Sequence, residues 1–213
     1  KCMDIHAMNM LYGTDPLFIF DPDNKDNRPL AGYQDNALIF WELYPQQLRD
    51  LFTTSFTVGL TQPNRRITEG KWMETFANLM SGIMPCPNCG SEVFYDGQKE
   101  ASGAAHICWG CQNAVPVPPK LVIGKNVVLL LSNTKLYQHH IEGNYDMDKV
   151  VGEVVQNPNN PKQWGIRNLS GDNWTYSKAD GTQVPVPQGR SAAIVRDAKI
   201  DFGQMTGEFH GGA

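Results

Sequence analysis

The sequence predicts an α+β chain made of several modules: a helical N-terminal part, a small cysteine-containing module and a C-terminal β-sandwich. Three observations lead to this prediction. Apolar residues recur at helical spacing through residues 1–83, four cysteines are clustered within residues 84–118, and short apolar runs separated by turns fill residues 119–213. Hydrophobic residues form 41% of the 213 residues and charged residues 19%, a composition that supports packed cores and argues against disorder.

The helical module is predicted from three segments. Helix-forming residues 3–12 end at Gly13, and a polar loop rich in Pro, Asn and Asp follows at residues 21–32. A second helix follows Pro45, with an apolar stripe of Leu48, Leu51, Phe52 and Phe56. A third is predicted to run from an N-cap at Thr68 to residue 83, with one face made of Trp72, Phe76, Leu79 and Ile83.

The C-terminal module is predicted to be a β-sandwich, because short strand-like runs alternate with turn-forming residues. The predicted strands lie at residues 127–131, 150–156, 164–168, 184–187, 192–196 and 199–202. A proline-rich run at residues 115–119 is predicted to be the linker between the cysteine module and the sandwich.

The cysteine module reads CPNCG at residues 86–90 and CWGC at residues 108–111. Each C-x-x-C turn offers two thiolates, and two such turns complete a tetrahedral Cys₄ set with no open position. The sequence therefore predicts a zinc ribbon that holds one structural Zn²⁺ per chain through Cys86, Cys89, Cys108 and Cys111. Zinc in so small a module should supply much of its folding free energy.

Other interpretations of this module stay open at the level of sequence. The cysteines could be unligated buried thiols or a redox pair, although no βαβ unit accompanies them, and His106 could replace one ligand. Zinc ribbons often bind nucleic acid. The charged residues between the two turns do not form a basic patch, which disfavours nucleic acid here: Glu92, Asp96, Lys99 and Glu100.

Charge and cysteine usage indicate the cellular setting. The formal net charge of −4 gives no electrostatic reason to expect nucleic acid or an anionic membrane as the partner. No apolar stretch approaches the roughly 18 residues that span a bilayer, and no secretory signal is visible. Clustered cysteines, with Cys2 left over, suit metal binding in a reducing compartment, so we expect a cytoplasmic protein. The chain begins at Lys1, and we expect it to be a piece of a longer protein.

The helical module resembles the C-lobe of a protein kinase. The run LYGTDPLF at residues 11–18 is similar to the end of the large central helix of that lobe. Residues 51–56, then PNRRIT at residues 63–68 and Trp72, are similar to its closing helices. The resemblance implies that Arg66 matches the family's arginine, which pairs with a buried glutamate, while Ile67 stands where proline is usual.

The kinase motifs that carry catalysis are missing from this sequence. No Gly-rich phosphate loop, strand lysine or H-R-D loop is found, and these groups hold ATP, Mg²⁺ and the substrate hydroxyl. Asp201-Phe202-Gly203 spells D-F-G without a catalytic loop ahead of it, so we interpret it as the end of a β-strand. The chain is therefore predicted not to be an enzyme, whether its bacterial serine/threonine kinase-like parent is active or a pseudokinase.

The C-terminal module resembles a degenerate forkhead-associated (FHA) domain, a β-sandwich that binds phosphothreonine. The resemblance rests on WGIRNLS at residues 164–170, on Asn173, on VPV at residues 184–186, and on Gly189 and IDFG at residues 200–203. The phosphate-binding residues of the family fit less well. Lys135-Leu136-Tyr137-Gln138 occupies the loop where the family has Gly-Arg, and Asp148, which would repel a phosphate, stands at the family's serine.

Five residues form a candidate anion or phosphopeptide site on this resemblance: Lys135, His139, His140, Arg167 and Asn173. The simpler interpretation of the histidine pair is an exposed loop. We therefore expect a non-catalytic regulatory region of a bacterial kinase-like protein, containing structural zinc and binding protein partners, phosphorylated ones among them. The alternative is a fragment of an active kinase whose FHA-like domain binds phosphothreonine or acidic peptides, and a plain sandwich used for packing is the third hypothesis.

Overall fold

The structure, a computed structural model, describes residues 4–144 and 146–211, and it is a mixed α+β fold with several sheets and a cluster of cysteines. Cys2 lies outside the described residues. The N-terminal part is helical, as the sequence predicts. Its helices are α1 (Ile5–Asn9), which continues into a π-helical turn (Met10–Thr14), α2 (Asp35–Leu43), α3 (Gln46–Phe56), α4 (Val58–Thr61), followed by a 3₁₀ turn (Pro63–Arg65), and α5 (Glu69–Ser81).

The bounds of these helices refine the predicted ones. Gly13 does not end the first helical segment but lies inside its π turn. Thr68 is the N-cap of α5, because its hydroxyl accepts the Lys71 N–H at 3.4 Å. The predicted helix ends two residues before Ile83, which starts a strand instead.

Aromatic side chains hold the helical layer together. Trp41 of α2 stacks on Phe20 with ring centroids 4.3 Å apart, and Phe52 of α3 packs edge-on against Trp72 of α5 at 5.0 Å. Leu48 and Leu51 are buried, as predicted, but Phe56 and Phe76 remain half-exposed. The predicted apolar stripes of α3 and α5 are therefore only partly buried against each other.

Two small hairpins follow the helices and contain the cysteines. Their elements are β1 (Ile83–Pro85), β2 (Glu92–Phe94), α6 (Gly97–Ala101), β3 (His106–Ile107) and β4 (Ala114–Val115). Strand β1 pairs with β2, and β3 pairs with β4, each antiparallel.

Two antiparallel sheets form the C-terminal part. Their elements are β5 (Lys120–Ile123), β6 (Asn126–Leu129), β7 (Lys135–Tyr137), α7 (Gln138–Glu142), β8 (Val150–Asn157), β9 (Asn160–Asn168), β10 (Trp174–Ser177), β11 (Gln183–Val186), β12 (Ser191–Ala193), β13 (Lys199–Asp201) and β14 (Thr206–His210). One sheet has the order β11-β10-β13-β14-β5-β6 and the other β12-β9-β8-β7. Inward side chains of both sheets, among them Leu121, Val154, Ile166, Trp174 and Phe209, form one buried core.

All six predicted strands are present, with bounds that differ by a few residues, whereas β5, β7, β10 and β14 were not predicted. Two segments also need correction. Lys135-Leu136-Tyr137 is not a loop but the edge strand β7, since Leu136 points into the core and pairs with Gly152. The proline-rich run at residues 115–119 is packed rather than a free linker. Val115 is buried in β4, and the Pro119 carbonyl accepts the Leu130 N–H at 2.7 Å.

The cysteine hairpins share their core with the six-stranded sheet. Leu129 and Val127 of β6 pack into the same apolar cluster as Met84, Val93 and Cys108. Among the described residues, no helix combines the length and the apolar character needed to cross a membrane.

Candidate metal centre

Two tight turns with the same backbone geometry present the four cysteines. Cys86 and Cys108 open the two turns, and each donates its N–H to the carbonyl five residues later. Each also accepts the N–H of the residue four positions later, and all four N···O distances are 2.8–2.9 Å. The residue four positions after the first cysteine is Gly90 in the first turn and Gln112 in the second. Both have left-handed φ angles, of 77° and 61°. Both turns thus leave their thiols pointing toward a common point.

The four sulfur atoms lie close together. Sγ of Cys86 is 3.6 Å from Sγ of Cys111, Sγ of Cys89 is 3.5 Å from Sγ of Cys108, and all four lie within 4.8 Å of one another. A tetrahedron with metal–sulfur bonds of about 2.3 Å has edges of about 3.8 Å, so these separations suit one ion. The four cysteines singled out by spacing are therefore brought together, and they could bind a metal ion.

The surroundings of the thiols favour a bound cation. Hydrogen bonds from the side chain and backbone of Ser91 lower the pKa of Cys89. A hydrogen bond from the Asn113 N–H is the largest effect on Cys111 and helps to lower its pKa to about 6. Burial raises the pKa of Cys108 to about 11. Cys108 would thus ionise readily only beside a positive ion that compensates for its lost hydration.

His106 is a structural residue of this module and not part of the sulfur cluster. Its ring is buried and stacks on Tyr95, with centroids 5.7 Å apart. Nε2 accepts the backbone N–H of Asp96 at 2.9 Å, and burial lowers the pKa of the imidazole. The neutral ring therefore serves as an acceptor that holds the turn before α6.

Two residues of the candidate anion site lie on the strands that flank β8, with a carboxylate of β8 between them. Glu153 of β8 pairs in register with Lys135 of β7 on one side and with Arg167 of β9 on the other. The Arg167 guanidinium lies 3.4 Å from the Glu153 carboxylate. Arg167 is thus partly neutralised within the sheet. Asn173 lies exposed in the segment between β9 and β10.

The histidine pair does not lie in an exposed loop, which corrects that interpretation. His139 and His140 are in the short helix α7, with ring centroids 3.8 Å apart, and His140 is only 3% exposed. His140 Nδ1 accepts the Tyr137 N–H at 2.9 Å, and its Nε2 lies 2.9 Å from Ser81 Oγ in α5. Burial, with the neighbouring His139 ring, lowers the pKa of His140 to about 3. His140 is therefore a neutral packing residue and not a surface cation.

The residues carried over from the kinase resemblance have local packing roles. Arg66 Nε donates to the Gly59 carbonyl at 2.8 Å, and among the described residues it makes no ion pair. Trp72 packs between Phe52 and Phe76.

Two polar groupings were missed by the sequence analysis. Asn168 is fully buried and fixes the segment after β9, and Lys120 of β5 contacts Tyr95 and Glu100 of the cysteine module. The second grouping could not be found from sequence, because its members are 20–25 residues apart. A scan against protein-family models gives no match to this chain, and neither does a search of the curated proteins.

Proposed function

We propose that this chain is a non-catalytic protein-interaction region in which a structural zinc ion fixes the helical layer against the β-sandwich. The observation that carries the proposal is the closed set of four cysteine sulfurs at the junction between these parts. Four thiolates fill the tetrahedral coordination that Zn²⁺ prefers and leave no position for water or substrate. A closed site of this kind stabilises a fold and takes no part in a reaction.

The position of the site supports a scaffolding role. Trp109, in the second cysteine turn, packs against Phe40 of α2 with ring centroids 6.1 Å apart, and Tyr44 packs against Phe94 of β2 at 5.8 Å. On the other side, Leu129 of β6 lies in the ribbon's own core. The metal module therefore contacts both the helices and the sheet, and its loss should loosen both contacts.

The kinase and FHA resemblances enter this proposal as the ancestry of the two flanking parts. We propose a parent of the bacterial serine/threonine kinase type, active or inactive, located in the cytoplasm, in which this region binds protein partners. The helices α3 and α5 and the two packed sheets are the kinds of structure that those resemblances imply.

A second candidate function is the binding of phosphothreonine or acidic peptides by the sandwich. The exposed basic side chains Lys135 and Arg167 favour it, whereas Glu153 between them weakens an anion site. Titration with a phosphothreonine peptide library separates the two candidates. Binding that disappears when the peptide lacks its phosphate, and that is weaker in Arg167→Ala, would favour the second candidate over the first.

The zinc proposal is tested by metal analysis of the purified chain. We expect about one zinc per chain, lost in Cys108→Ser, while Cys2→Ser retains it as the matched control. A chelator should also abolish the amide protection of β1–β4 in hydrogen exchange, because zinc binding and folding are coupled in small modules. A chain that folds with full protection of these strands and contains no zinc would contradict the proposal.

Catalysis is tested separately with ATP, Mg²⁺ and a general protein substrate. We expect neither nucleotide binding nor phosphoryl transfer from this chain, because the groups that hold ATP and Mg²⁺ have no counterpart in its sequence. Phosphoryl transfer that survives repurification would overturn the non-catalytic assignment.

A further inference from the structure

One edge of the four-stranded sheet offers unpaired backbone groups. Strand β12 (Ser191–Ala193) lies at that edge and pairs only with β9 among the described strands. Arg190 accepts the Asn168 N–H at 2.8 Å, and Ile194 donates to Trp164 at 2.9 Å. Because an antiparallel ladder alternates, Ala192 also faces β9, and the N–H and C=O groups of Ser191 and Ala193 face away.

The surface beside this edge is a cationic cleft. It has a volume of about 430 Å³ and is lined by β9, β12 and the turn between β8 and β9. Arg167 and Arg190 line the cleft and no carboxylate does, although Glu153, 3.4 Å from Arg167, partly neutralises that residue. The whole chain, in contrast, carries a net charge of −4. Arg190 makes no ion pair with any described residue, and Arg196 stands exposed just beyond the strand. The local charge is therefore opposite to that of the molecule.

A glycine keeps β12 close to its neighbour. A Cβ at Gly165 would come within 2.7 Å of the Ala192 carbonyl oxygen and 3.4 Å of the Ser191 Cβ. The small side chains of β12 likewise leave its outer edge open, since Ser191 and Ala193 are both exposed. No bulky side chain, proline or bulge in β12 blocks the approach of another strand.

We infer that β12 accepts an extended acidic segment of a protein partner as an added strand. This inference rests on the proposed interaction function and gives it a surface and a partner chemistry. The main-chain groups of Ser191 and Ala193 would bind the segment's backbone, and Arg167 and Arg190 would bind its carboxylates.

Charge also disfavours the symmetric pairing of this edge with a second copy of the chain about Ala193. Antiparallel pairing of two β12 strands centred on Ala193 would place Arg190 of each copy opposite Arg196 of the other. Two such pairs of like charges repel, whereas alternating glutamates on a partner strand would be attracted by the same arginines.

The probe is an amidated peptide of about twelve residues in which Glu and Thr alternate, with a Lys/Thr peptide of the same length as its control. Fluorescence anisotropy with the full zinc-bound chain should show salt-sensitive binding of the Glu/Thr peptide only. Ala193→Pro removes an outward N–H that the fold does not use, and edge strands tolerate proline there, so affinity should fall about tenfold or more. Ala193→Ser keeps the N–H and should bind as the native chain does.

Arg190→Ser gives an independent test that leaves the backbone unchanged. We expect it to weaken binding about threefold or more, and Lys178→Ser, an exposed change in the β10–β11 turn, to leave it unchanged. Three outcomes would overturn the inference. The two peptides could bind equally well, both Ala193→Pro and Arg190→Ser could bind the Glu/Thr peptide with native affinity, or this peptide could fail to bind at about 1 mM. A native dimer that Ala193→Pro dissociates would assign the edge to a second copy instead. Zinc content, measured on the same samples, tests the proposed scaffold separately from the edge.

Discussion

Nε2 of His140 lies 2.9 Å from the Ser81 hydroxyl oxygen, which joins the sandwich to the last turn of α5. Nδ1 of the same ring accepts the Tyr137 N–H, so the neutral ring carries its proton on Nε2 and donates it to Ser81. The Ser81 hydroxyl in turn donates to the Ala77 carbonyl at 3.1 Å. A proton on Nδ1 would break the bond to Tyr137, so this contact requires the neutral imidazole.

Acid should therefore weaken the protein through His140. Burial, together with the neighbouring His139, lowers the pKa of His140 to about 3 in the folded chain. The unfolded chain binds the proton near pH 6.5, so the stabilisation is complete above that pH and is lost as the pH falls toward 3. Well below pH 6.5 the free energy of unfolding should drop by about 1.4 kcal/mol per pH unit through this group, and the drop between pH 6.5 and 5.0 should be about 1.6 kcal/mol.

The matched variant is His140→Gln, whose amide can still accept from Tyr137 and donate to Ser81. Urea unfolding of both proteins at several pH values, with zinc buffered, separates this effect from protonation of the cysteines. The free energy of unfolding of the variant should depend less steeply on pH than that of the native chain. The difference between the two slopes should correspond to about one proton taken up on unfolding. Equal slopes for the two proteins would show that His140 does not titrate on unfolding.

The residue types at equivalent positions of the two cysteine turns can be exchanged to test backbone strain. Gly90 and Gln112 occupy the same place in their turns, with φ angles of 77° and 61°. A side chain at Gly90 would meet no atom within 4 Å, so its only penalty is the left-handed backbone, about 1–2 kcal/mol for a residue with a Cβ. Gly90→Gln should therefore lower the free energy of unfolding by about 1 kcal/mol or more.

Gln112→Gly should have the opposite sign. Relief of backbone strain is partly offset by the greater freedom of glycine in the unfolded chain and by loss of the Gln112 side-chain bond to the Trp109 carbonyl, 3.1 Å long. We expect a net gain of about 0.5 kcal/mol at constant zinc. Gln112→Ala is the control, since it removes the bond and keeps the strain. If Gln112→Gly were no more stable than Gln112→Ala, the strain argument would fail.

Lys120 joins the sandwich to the cysteine module through Tyr95 and Glu100. Its Nζ contacts the Tyr95 hydroxyl at 2.9 Å and forms an ion pair with Glu100, and the Tyr95 hydroxyl donates to Glu100 at 2.6 Å. Burial opposes ionisation of Glu100, yet the bonds from Lys120 and Tyr95 keep its pKa below the usual value. Lys120→Met should cost about 1 kcal/mol, because it removes the cation of Glu100, whose side chain is 38% exposed and stays partly hydrated.

A double-mutant cycle measures that coupling. Glu100→Gln added to Lys120→Met should cost less than the sum of the single changes, with an interaction energy of about 0.5–1 kcal/mol. Hydrogen exchange of α6 should quicken in Lys120→Met. Additive changes would mean that the two charges do not interact across the junction.

Features set by neighbouring residues could be predicted from the sequence, and features set by distant ones could not. The spacing of the four cysteines identified the sulfur cluster, because the geometry of a C-x-x-C turn is set by residues within the turn. These cysteines are Cys86, Cys89, Cys108 and Cys111. Alternating apolar residues likewise identified β8 and β9. The role of His140 could not be predicted, since it depends on Ser81, 59 residues earlier in the chain.

The strand β7 was missed for a similar reason. Its three residues, Lys135–Tyr137, are too short for alternation to be recognised, and they become a strand only through pairing with β8. The proline run was mistaken for a linker because composition alone does not reveal that Val115 is buried in the core of the cysteine module. Kinase-like and FHA-like ancestry rests on sequence motifs and remains a proposal.

Asn168 is the polar centre of the sandwich and lies within the WGIRNLS run that suggested the FHA resemblance. It is fully buried, and its amide donates to the carbonyls of Asp172 at 2.7 Å and Val186 at 2.8 Å. Its oxygen accepts the N–H of Ser170 at 2.8 Å and the hydroxyl of the same residue at 2.7 Å. One side chain thus satisfies four groups and ties the segment after β9 to β11.

Asn168→Asp should destabilise the protein more than its small change in shape suggests. The carboxylate keeps both acceptor contacts with Ser170 but replaces two donors by an oxygen that faces two carbonyls. We expect a loss of about 3 kcal/mol or more at neutral pH, since buried groups lose their partners and a charge is left uncompensated. The loss should shrink on acidification, because protonation of the new carboxyl restores one donor.

Ser170→Ala is the control for this prediction. It removes a hydroxyl that donates to Asn168, leaves both amide donors in place, and should cost only about 1 kcal/mol with no dependence on pH. Urea unfolding of the three proteins at neutral and acidic pH checks the pattern. If Asn168→Asp were no less stable than Ser170→Ala, the two donated bonds to Asp172 and Val186 would not be holding this segment.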